Sequence, residues 1–271
     1  HRRACLCRKS AESVEGRREP APRIDVVRTT AEIREGFLRF FEEKGHTRLP
    51  SAPLIPPPED ASTLLISAGM QPLKPYFLGQ KEPPATLLTT YQKVFRTTDI
   101  DEVGLDGYHL SYFEMMGNFS IGEYFKEGAV EHAWELMRDH LDLDFDKLWV
   151  SVFAGDPGLG LGEDEVAIAA WEAVGQPRER IVGLPRTENF WQAGETGPCG
   201  PCSEMYYDRG AELPCGRPDC GAGCPSERWL ELWETHQTWT FWGLDGTLTP
   251  LPKPVIDTGL GLERTAAIQQ D

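Results

Sequence analysis

The feature that most limits the folds open to this chain lies between Tyr91 and Lys126. There an apolar-flanked arginine, a polar loop and a second apolar run follow one another as YQKVFRTTDIDEVGLDGYHLSYFEMMGNFSIGEYFK. The pattern predicts a β-hairpin with Arg96 on one strand and His109 and Phe113 on the other. His109 stands four residues before Phe113, so alternation would put both side chains on one face. Arg96 cannot lose its charge and offers a rigid fork for a phosphate, and Phe113 offers a flat face for a base. Together they could hold a nucleotide. Alone, such a pattern is more often a solvated hairpin with a surface arginine and a core phenylalanine.

The stretch resembles the second signature motif of the class II aminoacyl-tRNA synthetases, an arginine, a loop, then His or Arg four residues before a phenylalanine. FEMMGNFSIGEYFK (Phe113 to Lys126) is similar to the alanyl branch of that family. SAGMQPLKPYFLG, carrying Met70, and NFWQAGETGPCGPCSEMYYD, carrying Trp191, resemble the same branch. VIDTGLGLER is similar to the third class II motif, and the helix and proline-rich strand before Met70 resemble the first.

The 271 residues, 40% hydrophobic and 10% aromatic, can bury one sizeable core or two modest ones. No run approaches the roughly 20 apolar residues of a membrane span. HRRACLCRKS lacks the apolar stretch of a secretory signal, so no membrane and a cytoplasmic location are expected. A net charge of -16 argues against broad, nonspecific neutralisation of phosphates, so any tRNA must meet a local basic patch. Seven cysteines, an odd number, point to free thiols or a metal site rather than a disulfide scaffold. The chain starts with His and reads as a segment of something longer.

Residues 1–24 carry no apolar periodicity and are expected to form a poorly ordered extension. Residues 25–271 are expected to form the catalytic domain, ending after the third motif. Thr30 is a plausible N-cap for a helix with Ile33, Phe37, Phe40 and Phe41 at helical spacing, closed by Gly45. Pro50 and Pro53 suit an edge or interrupted strand. Glu127 to Leu141 reads as a helix, Leu148 to Phe153 as a strand, and Glu163 to Val174 as a helix packing Val166, Ala170 and Trp171. In Asn189 to Asp208 the Gly-Pro-Cys repeats cannot form a regular helix, and the resemblance implies a loop there. Pro252 to Arg264 reads as a strand, a glycine-punctuated turn and a helix. Cys199 and Cys202 form a CxxC, followed by Cys215, Cys220 and Cys224. Zinc held by Cys215, Cys220 and Cys224, with Cys202 as the fourth ligand, is one expectation and a loop with free thiols the other.

The resemblance implies an α+β fold, an antiparallel sheet flanked by helices, whose reaction joins alanine and ATP into alanyl-adenylate and then loads tRNA(Ala) at its acceptor end. On that reading Arg96 takes the α-phosphate and the attacking carboxylate, and His109 and Arg264 take the γ-phosphate. The adenine lies between Phe113 and Arg264, and Mg2+ bridges the phosphates. Trp191 and Met70 limit the amino-acid pocket, Asp257 pairs with the substrate ammonium, and Gly259 lets the backbone pass close. By itself Asp257 would also suit a turn or cap, and Met70 a core position.

The chain departs from the family in ELWETHQTWTFWG. Glu234 stands where the family has a substrate-binding asparagine, and Thr235 to Thr238 are polar where the family strand is apolar. A carboxylate there would repel the substrate carboxylate, and the strand is expected to be displaced or frayed. The loop after Arg96 is also short and lacks a lysine. These departures support a second reading, an impaired paralogue or regulatory nucleotide-binding module.

Overall fold

The computed structural model describes residues 28–270 apart from 59, 61, 99, 214 and 219. The extension expected at residues 1–24 lies outside the described residues. Nine strands form one mixed sheet: β1 (Thr47–Arg48), β2 (Leu87–Phe95), β3 (Tyr112–Ile121), β4 (Leu148–Phe153), β5 (Ile181–Leu184), β6 (Phe190–Gln192), β7 (Gly197–Asp208), β8 (Trp229–Trp242) and β9 (Leu248–Gly261). Their order is β1-β2-β3-β9-β8-β7-β4-β5, with β6 paired to β7. The centre is antiparallel, and the pairs β1·β2 and β4·β5 at the two ends are parallel. The fold is α+β, as expected.

The helices are α1 (Thr30–Glu43), α2 (Lys74–Phe77), α3 (Lys126–Glu135), α4 (Glu165–Val174), α5 (Arg186–Asn189) and α6 (Leu262–Gln270). The N-cap of α1 is Thr29, one residue earlier than the pattern predicts. Thr29 and Glu32 form a reciprocal capping box, which satisfies two orphan donors and sets the start. Val166 does not pack; Ala167, Ile168, Ala170 and Trp171 form the buried side of α4. Phe37 and Phe41 of α1 lie against Trp233 of β8 at ring separations of 5.9 and 6.4 Å, so the helical layer is joined to the sheet by aromatic contact. Among the described residues no helix is long and apolar enough to cross a membrane.

Three expectations are corrected. The Gly-Pro-Cys repeat is strand, not loop: β7 pairs with β8 along its length, and a register shift between Cys199 and Cys202 takes up Pro201. A bulge interrupts the ladder, so the missing proline donor is tolerated there. Gly200 must be glycine, because a Cβ would fall 2.3 Å from Gln237 O. Likewise the glycines of VIDTGLG continue β9 to Gly261 rather than turning.

Nor is the strand around Glu234 frayed. β8 is central and paired on both sides, with Thr235, His236, Gln237 and Thr238 all buried. Some of its polar groups are bonded: Trp233 Nε1 donates to Thr235 Oγ1 along the strand at 2.8 Å, and Gln237 Nε2 donates to Ser203 Oγ of β7 at 3.3 Å. A buried strand can be polar where such bonds replace water.

Candidate active site

The hairpin exists, but its loop is longer than the sequence pattern suggests. Arg96 falls one residue beyond β2 and His109 three residues before β3, leaving Phe113 alone on a strand. Strand alternation therefore does not place His109. Asp106 does, accepting from the backbone N–H of Tyr108 and His109 at 3.1 and 2.8 Å and meeting His109 Nδ1 at 2.5 Å. The His109 ring also lies 4.7 Å from that of Tyr108.

A cavity of about 110 Å³ opens on one face of the sheet and gathers the residues singled out from sequence. Arg96, His109, Phe113 and Arg264 line one part, Met70, Trp191, Glu234, Asp257 and Gly259 the rest. Arg96 Nε donates to Ser67 O at 3.1 Å, and its Cζ lies 5.2 Å from the Phe113 ring centroid. Arg264 donates to Glu231 O at 3.1 Å and lies over Tyr108 at 5.7 Å. The two guanidinium groups are thus held by backbone carbonyls and aromatic faces, and Arg264 also by the Glu231 carboxylate at 3.4 Å, oriented before any ligand arrives.

Two rows cross β7, β8 and β9 beside the cavity, and their members on β8 and β9 line it. One runs Cys202, His236, Asp257 and the other Glu204, Glu234, Gly259. Met70 is 3% exposed, packed with Phe119, so it is core and cavity wall at once. A Cβ on Gly259 would sit 3.1 Å from Met115 Sδ, so the glycine leaves room in the row beside Glu234.

Asp257 Oδ2 is 3.0 Å from His236 Nδ1, and His236 Nε2 is 2.7 Å from Glu234 Oε1. The second contact is an ion pair rather than an aligned hydrogen bond. Burial opposes charge on His236, but Glu234 and Asp257 overcome it and raise its pKa to about 10. The Trp191 ring stacks on His236 at 4.5 Å and 19°. Burial likewise pushes Glu234 up, yet His236 and then Arg96 hold it below the ordinary carboxylate range. Glu204 faces Glu234 directly across the strands. Burial, with Glu231 and Glu234, raises it to about 9, which removes the like-charge conflict at neutral pH.

His236, Tyr108, Asp106 and Glu231 were not among the residues picked from sequence. For His236 a signal existed: Glu234 and His236 are two apart on a strand, hence on one face. Cys202 does not join the later cysteines. It is fully buried in β7, grouped with Glu204 and Glu234, while Cys215, Cys220 and Cys224 have their Sγ atoms within 4.8 Å of one another elsewhere.

A family model described as tRNA synthetases class II (A) matches residues 32–271. An alanine–tRNA ligase of Acetivibrio thermocellus is 50% identical over 241 residues, 89% of this chain and 26% of that protein. That of Caldicellulosiruptor saccharolyticus is 50% identical over 243 residues, again 89% and 26%. The chain spans about a quarter of the length of the curated relatives it matches. Among solved structures, apo S. aureus histidyl-tRNA synthetase superposes with a TM-score of 0.51 at 13% identity, covering 88% of this chain and 64% of that one. An ATP phosphoribosyltransferase regulatory subunit/histidyl-tRNA synthetase from Bacillus halodurans gives 0.50 at 10% identity, covering 89% and 79%. At such identities the likeness is one of fold alone.

Proposed function

The chain belongs to the class II tRNA synthetases, and on that premise we propose that it carries the amino-acid-activating site of an alanine–tRNA ligase. The observation that carries this reading is the meeting of Arg96, His109, Phe113 and Arg264 with Met70, Trp191 and Asp257 in one cavity. A carboxylate oxygen of alanine attacks the α-phosphorus of ATP, the bond to pyrophosphate breaks, and alanyl-adenylate forms. A ribose hydroxyl at the acceptor end of tRNA(Ala) then attacks the alanyl carbonyl, forming the ester and releasing AMP. A cytoplasmic location goes with this reading.

Arg96 holds the α-phosphate and the incoming carboxylate together, which supplies positioning and charge compensation. His109 and Arg264 take the γ-phosphate, and the adenine lies between Phe113 and Arg264. Asp257, with Oδ2 tied to His236, offers its other oxygen to the substrate ammonium. Glu231 and Glu263 line the same cavity and are the hard oxygen donors that Mg2+ takes. Bound there with ATP, the ion would offset phosphate charge.

Alanine-dependent exchange of pyrophosphate into ATP tests the reading, run across all amino acids with the purified chain. Alanine should give the fastest exchange. Glycine and serine should follow, since one methyl or hydroxyl is worth only about 1 to 3 kcal/mol in such a pocket. Valine should be excluded by Trp191 and Met70, and exchange with valine equal to that with alanine would sink the assignment.

Zinc is the second component proposed, held by Cys215, Cys220 and Cys224 in the segment between β7 and β8. Their three sulfurs converge within 4.8 Å, and Trp229 Nε1 donates to Cys220 Sγ at 3.3 Å, the kind of outer bond that orients a thiolate. Among the described residues the small buried cluster beside them is Tyr206, Ala222 and Trp229, with Trp149 and Val182 packed against it. A metal would hold together what so little apolar contact cannot. Elemental analysis of protein purified without chelator should find about one equivalent of zinc, lost in Cys220→Ser. Protein free of zinc would leave the thiol reading in its place.

A further inference from the structure

We propose that His236 is a positioning residue of the amino-acid subsite, whose imidazolium bridges Glu234 and Asp257 and so keeps Glu234 from occupying Arg96 in place of the substrate carboxylate. The inference rests on the alanine-activating reading and deepens it. It turns on the feature of the sequence that fits that reading least, a carboxylate in the amino-acid pocket.

Glu234 lines the cavity together with Arg96, and Arg96 is one of the charges that stabilise its anionic form. Unrestrained, a carboxylate that lines the same cavity as a guanidinium would pair with it, because that is the strongest contact open to both. The substrate carboxylate needs the same guanidinium. His236 removes the conflict by geometry. Its two ring nitrogens face the two carboxylates, at 2.7 Å from Glu234 Oε1 and 3.0 Å from Asp257 Oδ2, so neither carboxylate can turn without losing its partner.

The ring has neighbours on three other strands. Trp191 of β6 stacks on it, Asp257 is its direct cross-strand neighbour on β9, and Cys202 is its neighbour on β7. The charged and titratable groups around it are therefore Glu234 on its own strand, Asp257, Cys202, Glu204 and Arg96. With Glu204 neutral, the string Glu234–His236–Asp257 carries one net negative charge. That is what a site for an ammonium beside a separately held carboxylate needs. Asp257 is fixed in the same act, since tying Oδ2 to the ring sets the direction of its other oxygen.

The test has a ligand-free arm and a kinetic arm. In ring-nitrogen NMR of the wild-type chain, with the signal assigned by its absence from His236→Gln/Glu234→Gln, the ring should remain doubly protonated at about pH 8. A neutral ring there, with alanine-dependent exchange intact, would overturn the proposal and leave the alanine reading standing. Absence of exchange with any amino acid would overturn the alanine reading, whatever the charge of the ring.

In the kinetic arm, His236→Gln should raise KM for alanine by about a hundredfold while KM for ATP moves by no more than about twofold. His236→Gln/Glu234→Gln should regain most of the loss, because the freed carboxylate is gone; a merely structural role would make the double variant as poor as the single. If KM for alanine does not rise in His236→Gln, or is not regained in the double variant, the bridging role is wrong. Where His236→Gln alone folds poorly, the double variant, which leaves no uncompensated Glu234, decides by the same comparison with the wild type.

Discussion

Replacing Arg96 with alanine should lower alanine-dependent ATP–pyrophosphate exchange by about a hundredfold to a thousandfold, the loss expected for one preorganised charged donor at a reacting phosphate. The guanidinium is held in place before substrate arrives, by Ser67 O at 3.1 Å and by the Phe113 face at 5.2 Å. Its removal takes away charge compensation as the pentacovalent phosphorus forms, so kcat should fall and not KM alone. Arg96→Lys keeps a charge but not the fork, and should recover only part of the loss. Steady-state exchange kinetics check both variants. Wild-type rates in Arg96→Ala would remove Arg96 from the reaction.

The second large effect concerns stability and a residue with no part in the cavity. Asp164 accepts from Lys126 Nζ at 2.5 and 2.6 Å and caps α4 by accepting from Ala167 N at 3.1 Å. Both side chains of the ion pair are nearly buried, at 4% and 11% exposure. Asp164→Ala would leave the Lys126 ammonium without its partner between α3 and α4 and uncap the helix. The expected loss is about 3 to 5 kcal/mol, most of it from the uncompensated charge. In a domain of this size that lowers Tm by roughly 10 °C. Replacing both partners, as Lys126→Met/Asp164→Asn, should restore much of the stability, since neither buried charge then remains. Thermal unfolding followed by circular dichroism measures both. A Tm within about 2 °C of wild type for Asp164→Ala would show the pair to be solvated and weak.

Local elements were legible where one pattern governed them. Leu148 to Phe153 is a strand with the boundaries its apolar run suggests, and the first helix is displaced by one residue at its cap. Elements whose stability comes from partners were not legible. Gly197 to Asp208 has little local preference for extended structure, yet it is strand because β4, β6 and β8 pair with it. Thr235 to Thr238 looked unfit for a buried position when taken as a block. Taken by alternate faces, they are a pocket side and a core side of one strand, with Trp233 donating to Thr235 and Gln237 to Ser203 on the core side.

Sequence by itself picked out side chains that the fold brings to one cavity. An arginine fork, an aromatic face and a pocket tryptophan owe their capacities to covalent structure, and their motif spacing survives any modest error in element boundaries. Only the tertiary structure decided the charge around position 234. Cys202, His236 and Asp257 come from three consecutive strands, and the register of β7, β8 and β9 sets them side by side. A carboxylate read alone at position 234 is a repulsive charge. Placed 2.7 Å from a buried imidazolium that also holds Asp257, it becomes one end of an ion-paired string, because a buried charge takes its energy from its neighbours and not from its own type.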